Sequence, residues 1–137
     1  MATVEFIEYE EGSPEVREVY DDIMTTRHVD WINNFWKALA VQPELLQRTW
    51  SGVKEVMTPG ALDALTKELI YVAVSVTNSC KYCINSHTAA ARKKGMSEEM
   101  LAELMAVVGM ANQTNALANG FQIEVDDVFQ HGGRAPK

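Results

Sequence analysis

The chain has 137 residues, 47% of them hydrophobic, and reads as one globular domain spanning 1–137. A domain near this size buries about two-thirds of its unfolded surface, so its core needs no disulfide or metal. A net charge of −7 and a pI near 4.9 argue against nucleic acid and anionic membrane as partners, since both attract basic surfaces.

The acidic start, Met1 to Glu11, carries no apolar run of the kind a signal peptide needs. Nor is any stretch long and apolar enough to span a membrane, so the cytoplasm is the expected compartment. Ser13-Pro14 opens the first helix, with Ser13 as N-cap and Pro14 at the first helical position. Val16, Val19, Tyr20, Ile23 and Met24 follow as one apolar stripe. Asp30 is read as the cap of a second helix carrying Trp31, Phe35, Trp36 and Leu39, and Pro43 opens a third with Leu46, Trp50, Val53 and Met57 inward. Thr58-Pro59-Gly60 ends it.

A fourth helix is expected from about Ala61 to Val76, with Leu62, Leu65, Leu69, Val72 and Val76 on its apolar face. Its β-branched second half also suits a strand, but the longer helical period from Leu62 to Val72 decides for helix. Thr77-Asn78-Ser79 supplies turn and cap chemistry, and a fifth helix runs from about Cys80 to Lys94 and stops at Gly95. Arg92-Lys93-Lys94 is read as the basic last turn of that helix. Ser97 caps a sixth helix with Leu101, Leu104, Met105 and Val108 inward, Gly109 marks a break or bend, and Gly120 ends it. The tail, 121–137, is expected to be partly extended or to pack on a neighbouring subunit. The fold class is all-α.

Chemistry concentrates in Cys80-Lys81-Tyr82-Cys83-Ile84-Asn85-Ser86-His87, which holds the only two cysteines in one C-x-x-C. Such a pair in a disulfide-poor chain points to redox or metal chemistry in a reducing compartment. At a helix start the unpaired N–H groups favour a thiolate. Cys83 and His87 are four apart and share a face, so the imidazole can lower the thiol pKa or take its proton. Ser79 or Asn78 can cap the backbone there. Glu68 lies beside the Leu65, Leu69 and Val72 stripe, where a carboxylate is costly without a partner. A short turn at 77–79 brings it toward Cys83 and His87. Burial raises its pKa, a charged His87 lowers it, and the residues alone leave that balance open.

Glu68, eleven intervening residues, then Cys80-x-x-Cys83-x-x-x-His87 resembles the signature of the AhpD-like alkylhydroperoxidases of the carboxymuconolactone decarboxylase superfamily. The resemblance covers roughly residues 36–119. It implies an all-α, AhpD-like helical domain with the C-x-x-C at the N-terminus of a central helix. It also implies a peroxidatic Cys83, a resolving Cys80 and a proton relay of His87 and Glu68. An organic hydroperoxide is the implied substrate and a lipoyl- or thioredoxin-like dithiol the implied reductant. No bound cofactor or metal is implied, and the implied assembly is a homo-oligomer, trimer or hexamer. Some peroxidases of the family carry a histidine before the second cysteine where this chain has Tyr82, which donates a hydrogen bond but is no base near pH 7 and implies a shorter relay.

Other readings stand beside this one. The cysteines can be small buried apolar residues, or zinc ligands with His87 and Glu68. The disulfide can switch assembly without turnover, or the site can decarboxylate a cyclic γ-lactone acid through His87 and Glu68; that substrate wants a cationic clamp for its carboxylate, and the window offers only Lys81 and Arg92, neither obviously placed for it. Glu68 taken alone reads as a salt-bridge partner, of the Lys67 neighbourhood or of Arg92. His28 and His131 have no partner at chemical spacing, and Trp31, Phe35, Trp36 and Trp50 read as core or subunit interface.

Overall fold

The computed structural model describes residues 1–130 and Gly132; His131 and the Gly133-Arg134 end of the tail lie outside the described residues. Every regular element among the described residues is helical, so the fold is all-α. The chain divides into two compact units, Met1–Thr58 and Pro59–Lys137.

The first unit holds α1 (Pro14–Arg27), α2 (Asn34–Leu39) and α3 (Pro43–Met57), after a 3-10 turn at Tyr9–Glu11. Ser13 caps α1 by accepting from the Val16 amide at 3.3 Å, as its Ser-Pro start leads one to expect. The stripe Val16, Val19, Tyr20 and Ile23 is buried against Trp36, Leu46 and Trp50. The Trp36 and Trp50 rings meet edge to face, centroids 5.5 Å apart, and the Arg27 guanidinium lies over both. The second helix starts later than Asp30: its N-cap is Asn33, and Trp31 and Phe35 are exposed while Ile32 and Trp36 turn inward.

Tyr20 is fully buried and donates to the Ile7 carbonyl at 2.7 Å, tying the N-terminal segment to α1. Burial, helped by the negative Glu8, pushes its phenol up to about 12. The fold therefore favours the neutral phenol. That stabilisation is whole below the unfolded value of about 10 and drains away as pH rises toward 12. Tyr20→Phe is expected to cost about 1 kcal/mol at pH 7 and to flatten the alkaline loss, read from urea midpoints between neutral pH and pH 11.

The second unit holds α4 (Ala64–Thr77), α5 (Lys81–Lys93) and α6 (Glu98–Gly120), with α4 packed against both α5 and α6. α4 begins three residues later than Ala61, because the Asp63 carboxylate accepts from the Thr66 amide at 2.7 Å. Leu62 is left outside the helix and exposed. Ser97 caps α6 through the Met100 amide at 3.1 Å. α6 runs unbroken through Gly109, since one exposed glycine costs only about 1 kcal/mol in a 23-residue helix. Beyond it residues 123–126 form no regular element, and a 3-10 turn follows at Asp127–Phe129. No helix among the described residues is long and apolar enough to cross a membrane.

Candidate active site

Two chain reversals built alike frame the site. At the end of α4, Ser79 takes a left-handed conformation (φ 57°), with its amide bonded to the Val76 carbonyl and the Cys80 amide to the Ser75 carbonyl. This is a Schellman ending, and a serine stands where glycine is usual. Ser79 thus closes α4 rather than capping α5, and Asn78 is the α4 C-cap. The cap of α5 is Cys80 itself, whose Sγ accepts from the Cys83 amide at 3.3 Å. At the far end of α5, Gly95 (φ 104°) makes the same motif, with Gly95 bonded to Arg92 and Met96 to Ala91. Met96 and Ala91 are buried, as the apolar contact of that motif requires. Lys94 is the C-cap residue.

Cys80 and Cys83 are joined by a disulfide, with Cα atoms 5.4 Å apart. Cys83 and His87 follow each other one turn apart on α5. The cap favours negative charge on Cys80, whereas the spacing to the imidazole favours proton removal from Cys83. Tyr82 is exposed on the same first turn.

Glu68 faces this helix from the middle of α4 and is only 5% exposed. Its Oε2 lies 2.7 Å from His87 Nδ1, and its Oε1 accepts from Lys94 Nζ at 2.9 Å. Burial pushes the carboxyl up, but the hydrogen bonds and positive charge of His87 and Lys94 outweigh it and hold Glu68 below its ordinary value. It is therefore an ionised acceptor near neutral pH, which assigns the proton to His87 Nδ1 and leaves Nε2 as the basic nitrogen. Tyr71, one turn beyond Glu68, stacks on the His87 ring with centroids 3.7 Å apart and planes at 19°, holding the imidazole between two elements. A carboxylate-anchored imidazole one helical turn after a cysteine can accept a thiol proton and stabilise the thiolate left behind.

Glu68, Cys80, Cys83 and His87 thus come together in one unit. The sequence-suggested meeting of Glu68 with His87 is found, but Arg92, suggested as its salt-bridge partner, bonds Glu98 at 2.9–3.0 Å instead, and Lys94 pairs with Glu68. Lys94 and Tyr71 are the two site residues that the sequence reading passed over. Their signals are spacings, seven residues after His87 and three after Glu68, close to two turns and one turn along one face. No group of three or more His, Cys, Asp or Glu side chains placed to hold a metal ion occurs among the described residues.

Residues 43–123 match the model of the carboxymuconolactone decarboxylase family. The crystal structure of the alkylhydroperoxidase AhpD core from Rhodospirillum rubrum matches with a TM-score of 0.91 and 55% identity, over 94% of this chain and 97% of that one. Uncharacterized protein 4 in the cox locus of Paracoccus denitrificans is 39% identical over 47% of this chain and 65% of its own length. The alkyl hydroperoxide reductase AhpD of Solibacter usitatus is 32% identical over 54% of this chain and 40% of its own length. The chain spans less than two thirds of these last two relatives.

Proposed function

The chain belongs to the carboxymuconolactone decarboxylase family, and from that premise we propose that it is a cysteine-based peroxidase of the AhpD type. The observation that carries the reading is the 2.7 Å contact of Glu68 with His87 Nδ1, one helical turn after Cys83 in a C-x-x-C closed as a disulfide. The 55% identity to the AhpD core supports it. In the reduced protein, His87 Nε2 takes the Cys83 proton while Glu68 stabilises the imidazolium. The Cys83 thiolate attacks the distal oxygen of an organic hydroperoxide, the O–O bond breaks, and the alkoxide leaves as alcohol with the returned proton. Cys83 is then a sulfenic acid. The Cys80 sulfur attacks it, water leaves, and the Cys80–Cys83 disulfide closes. An external dithiol of the lipoyl or thioredoxin type reduces the disulfide and is oxidised in turn, so no bound cofactor or metal is required.

We also propose that the protein works as a homo-oligomer of three or six chains. α6 has one buried residue, Val108, while Val107, Met110 and Leu117 on it and Phe121 just beyond are exposed, as are Ile70 and Val74 on α4. So much apolar surface on a short chain suits a subunit interface. Light scattering at micromolar concentration is expected to give the mass of three or six chains; the mass of one chain speaks against assembly.

Steady-state assay tests the activity. Consumption of an organic hydroperoxide that depends on dihydrolipoamide or a reduced thioredoxin supports the peroxidase. Absence of such turnover, with decarboxylation of a cyclic γ-lactone acid that survives Cys83→Ser, moves the assignment to a decarboxylase. A disulfide that changes the oligomer mass without turnover marks a redox switch.

A further inference from the structure

We propose that Lys94 is a positioning residue of this site: it fixes the Glu68 carboxylate toward His87 and sets the pH below which the Glu68–His87 pair is protonated and stops acting as a base. The proposal deepens the peroxidase reading and rests on it for its kinetic consequence, but its structural content stands on geometry alone. Lys94 Nζ is 2.9 Å from Oε1, and the other oxygen is the one that meets His87. With both oxygens engaged, the carboxylate cannot rotate Oε2 away from the imidazole without giving up an ion pair. Position 94 is the C-cap of a Schellman ending, so the backbone is held by Gly95 in its left-handed conformation. Two turns after His87, its long stem reaches back along the α5 face toward α4.

The charges around Glu68 make the sign definite. From α5 it meets His87 and Lys94. From its own helix Tyr71 is one turn away, stacked on His87, and Lys67 is the adjacent residue. α6, which packs on α4, brings the acids Glu98, Glu99 and Glu103, all exposed, with Glu98 paired to Arg92. In the reduced protein the Cys80 and Cys83 thiols join the set. The Lys94 ammonium disfavours any added proton on the pair, whether it resides on the carboxylate or on the imidazole. Its removal therefore moves protonation to higher pH. Its side chain is 39% exposed, and solvent screening limits the effect.

The test uses Lys94→Gln and Lys94→Arg in the full chain. In the disulfide form, where neither cysteine titrates, the pH midpoint of the pair is followed through the His87 ring signals by NMR, assigned with His87→Asn. Lys94→Gln is expected to raise the midpoint by about half to one pH unit, and Lys94→Arg to restore most of it. An unchanged midpoint in Lys94→Gln overturns the proposal. In the reduced form, the reaction of Cys83 with hydroperoxide is expected to lose roughly three- to tenfold in rate below the acid limb, with the loss shrinking above it. A loss equal at every pH reports only a structural role and also overturns the proposal. Should the wild type not react with hydroperoxide at all, the peroxidase reading fails, and the NMR midpoint still decides the role of Lys94.

Discussion

Cys83→Ser is expected to abolish hydroperoxide reduction, with a fall of at least roughly a thousandfold in the rate of peroxide consumption and no change in helix content. A serine hydroxyl in the same place stays protonated at neutral pH, even beside a base, and oxygen does not form a stable counterpart of the sulfenic acid. Cys80→Ser behaves differently. It keeps the attacking thiol and the relay, so it reduces one equivalent of hydroperoxide and then stops with Cys83 as a sulfenic acid open to trapping by a dimedone-type reagent. The reverse pattern, with Cys80→Ser inert and Cys83→Ser trapped, would assign the attack to Cys80. The helix cap gives that outcome a physical basis, because the Cys83 amide donates to the Cys80 sulfur.

Glu68→Gln carries the second largest effect. Glutamine keeps the volume and can still accept from His87 Nδ1, but it removes the charge that stabilises the imidazolium once the thiol proton has arrived. It also leaves Lys94 facing a neutral amide. The rate of Cys83 oxidation at pH 7 is expected to fall about 10²- to 10³-fold. Single-turnover kinetics check this, with thermal unfolding as a control on the fold. A rate within roughly threefold of wild type would remove Glu68 from the relay.

The fold and the site were legible in the sequence to different depths. Helix starts at Ser13 and Ser97 are readable because a capping hydroxyl acts on an amide three residues away, a local rule that packing does not override. The second helix starts later than the Asp30 signal because burial of Ile32 and Trp36, not a side-chain cap, sets its start: the Asn33 side chain makes no capping bond and accepts from Arg27. Gly109 looked like a break because propensity counts one residue at a time, whereas the helix on both sides carries it through. The contact of Glu68 with His87 could be anticipated from a three-residue turn between two helices. Its pKa balance could not, since Lys94, at the far end of α5, adds its hydrogen bond and charge to those of His87 against the burial. In the sequence Lys94 is part of the basic cluster Arg92-Lys93-Lys94 that complements a helix end. The Schellman geometry at Gly95 separates it from Arg92, which turns to Glu98 instead.

The central claim is that Cys83 reduces a hydroperoxide and Cys80 resolves the product. Fully reduced, metal-stripped protein mixed with one equivalent of an organic hydroperoxide tests it most directly, by free-thiol count and intact mass. Rapid loss of both thiols, the mass of the internal disulfide and one equivalent of alcohol are expected. Two thiols that persist while the hydroperoxide stays unconsumed would contradict it.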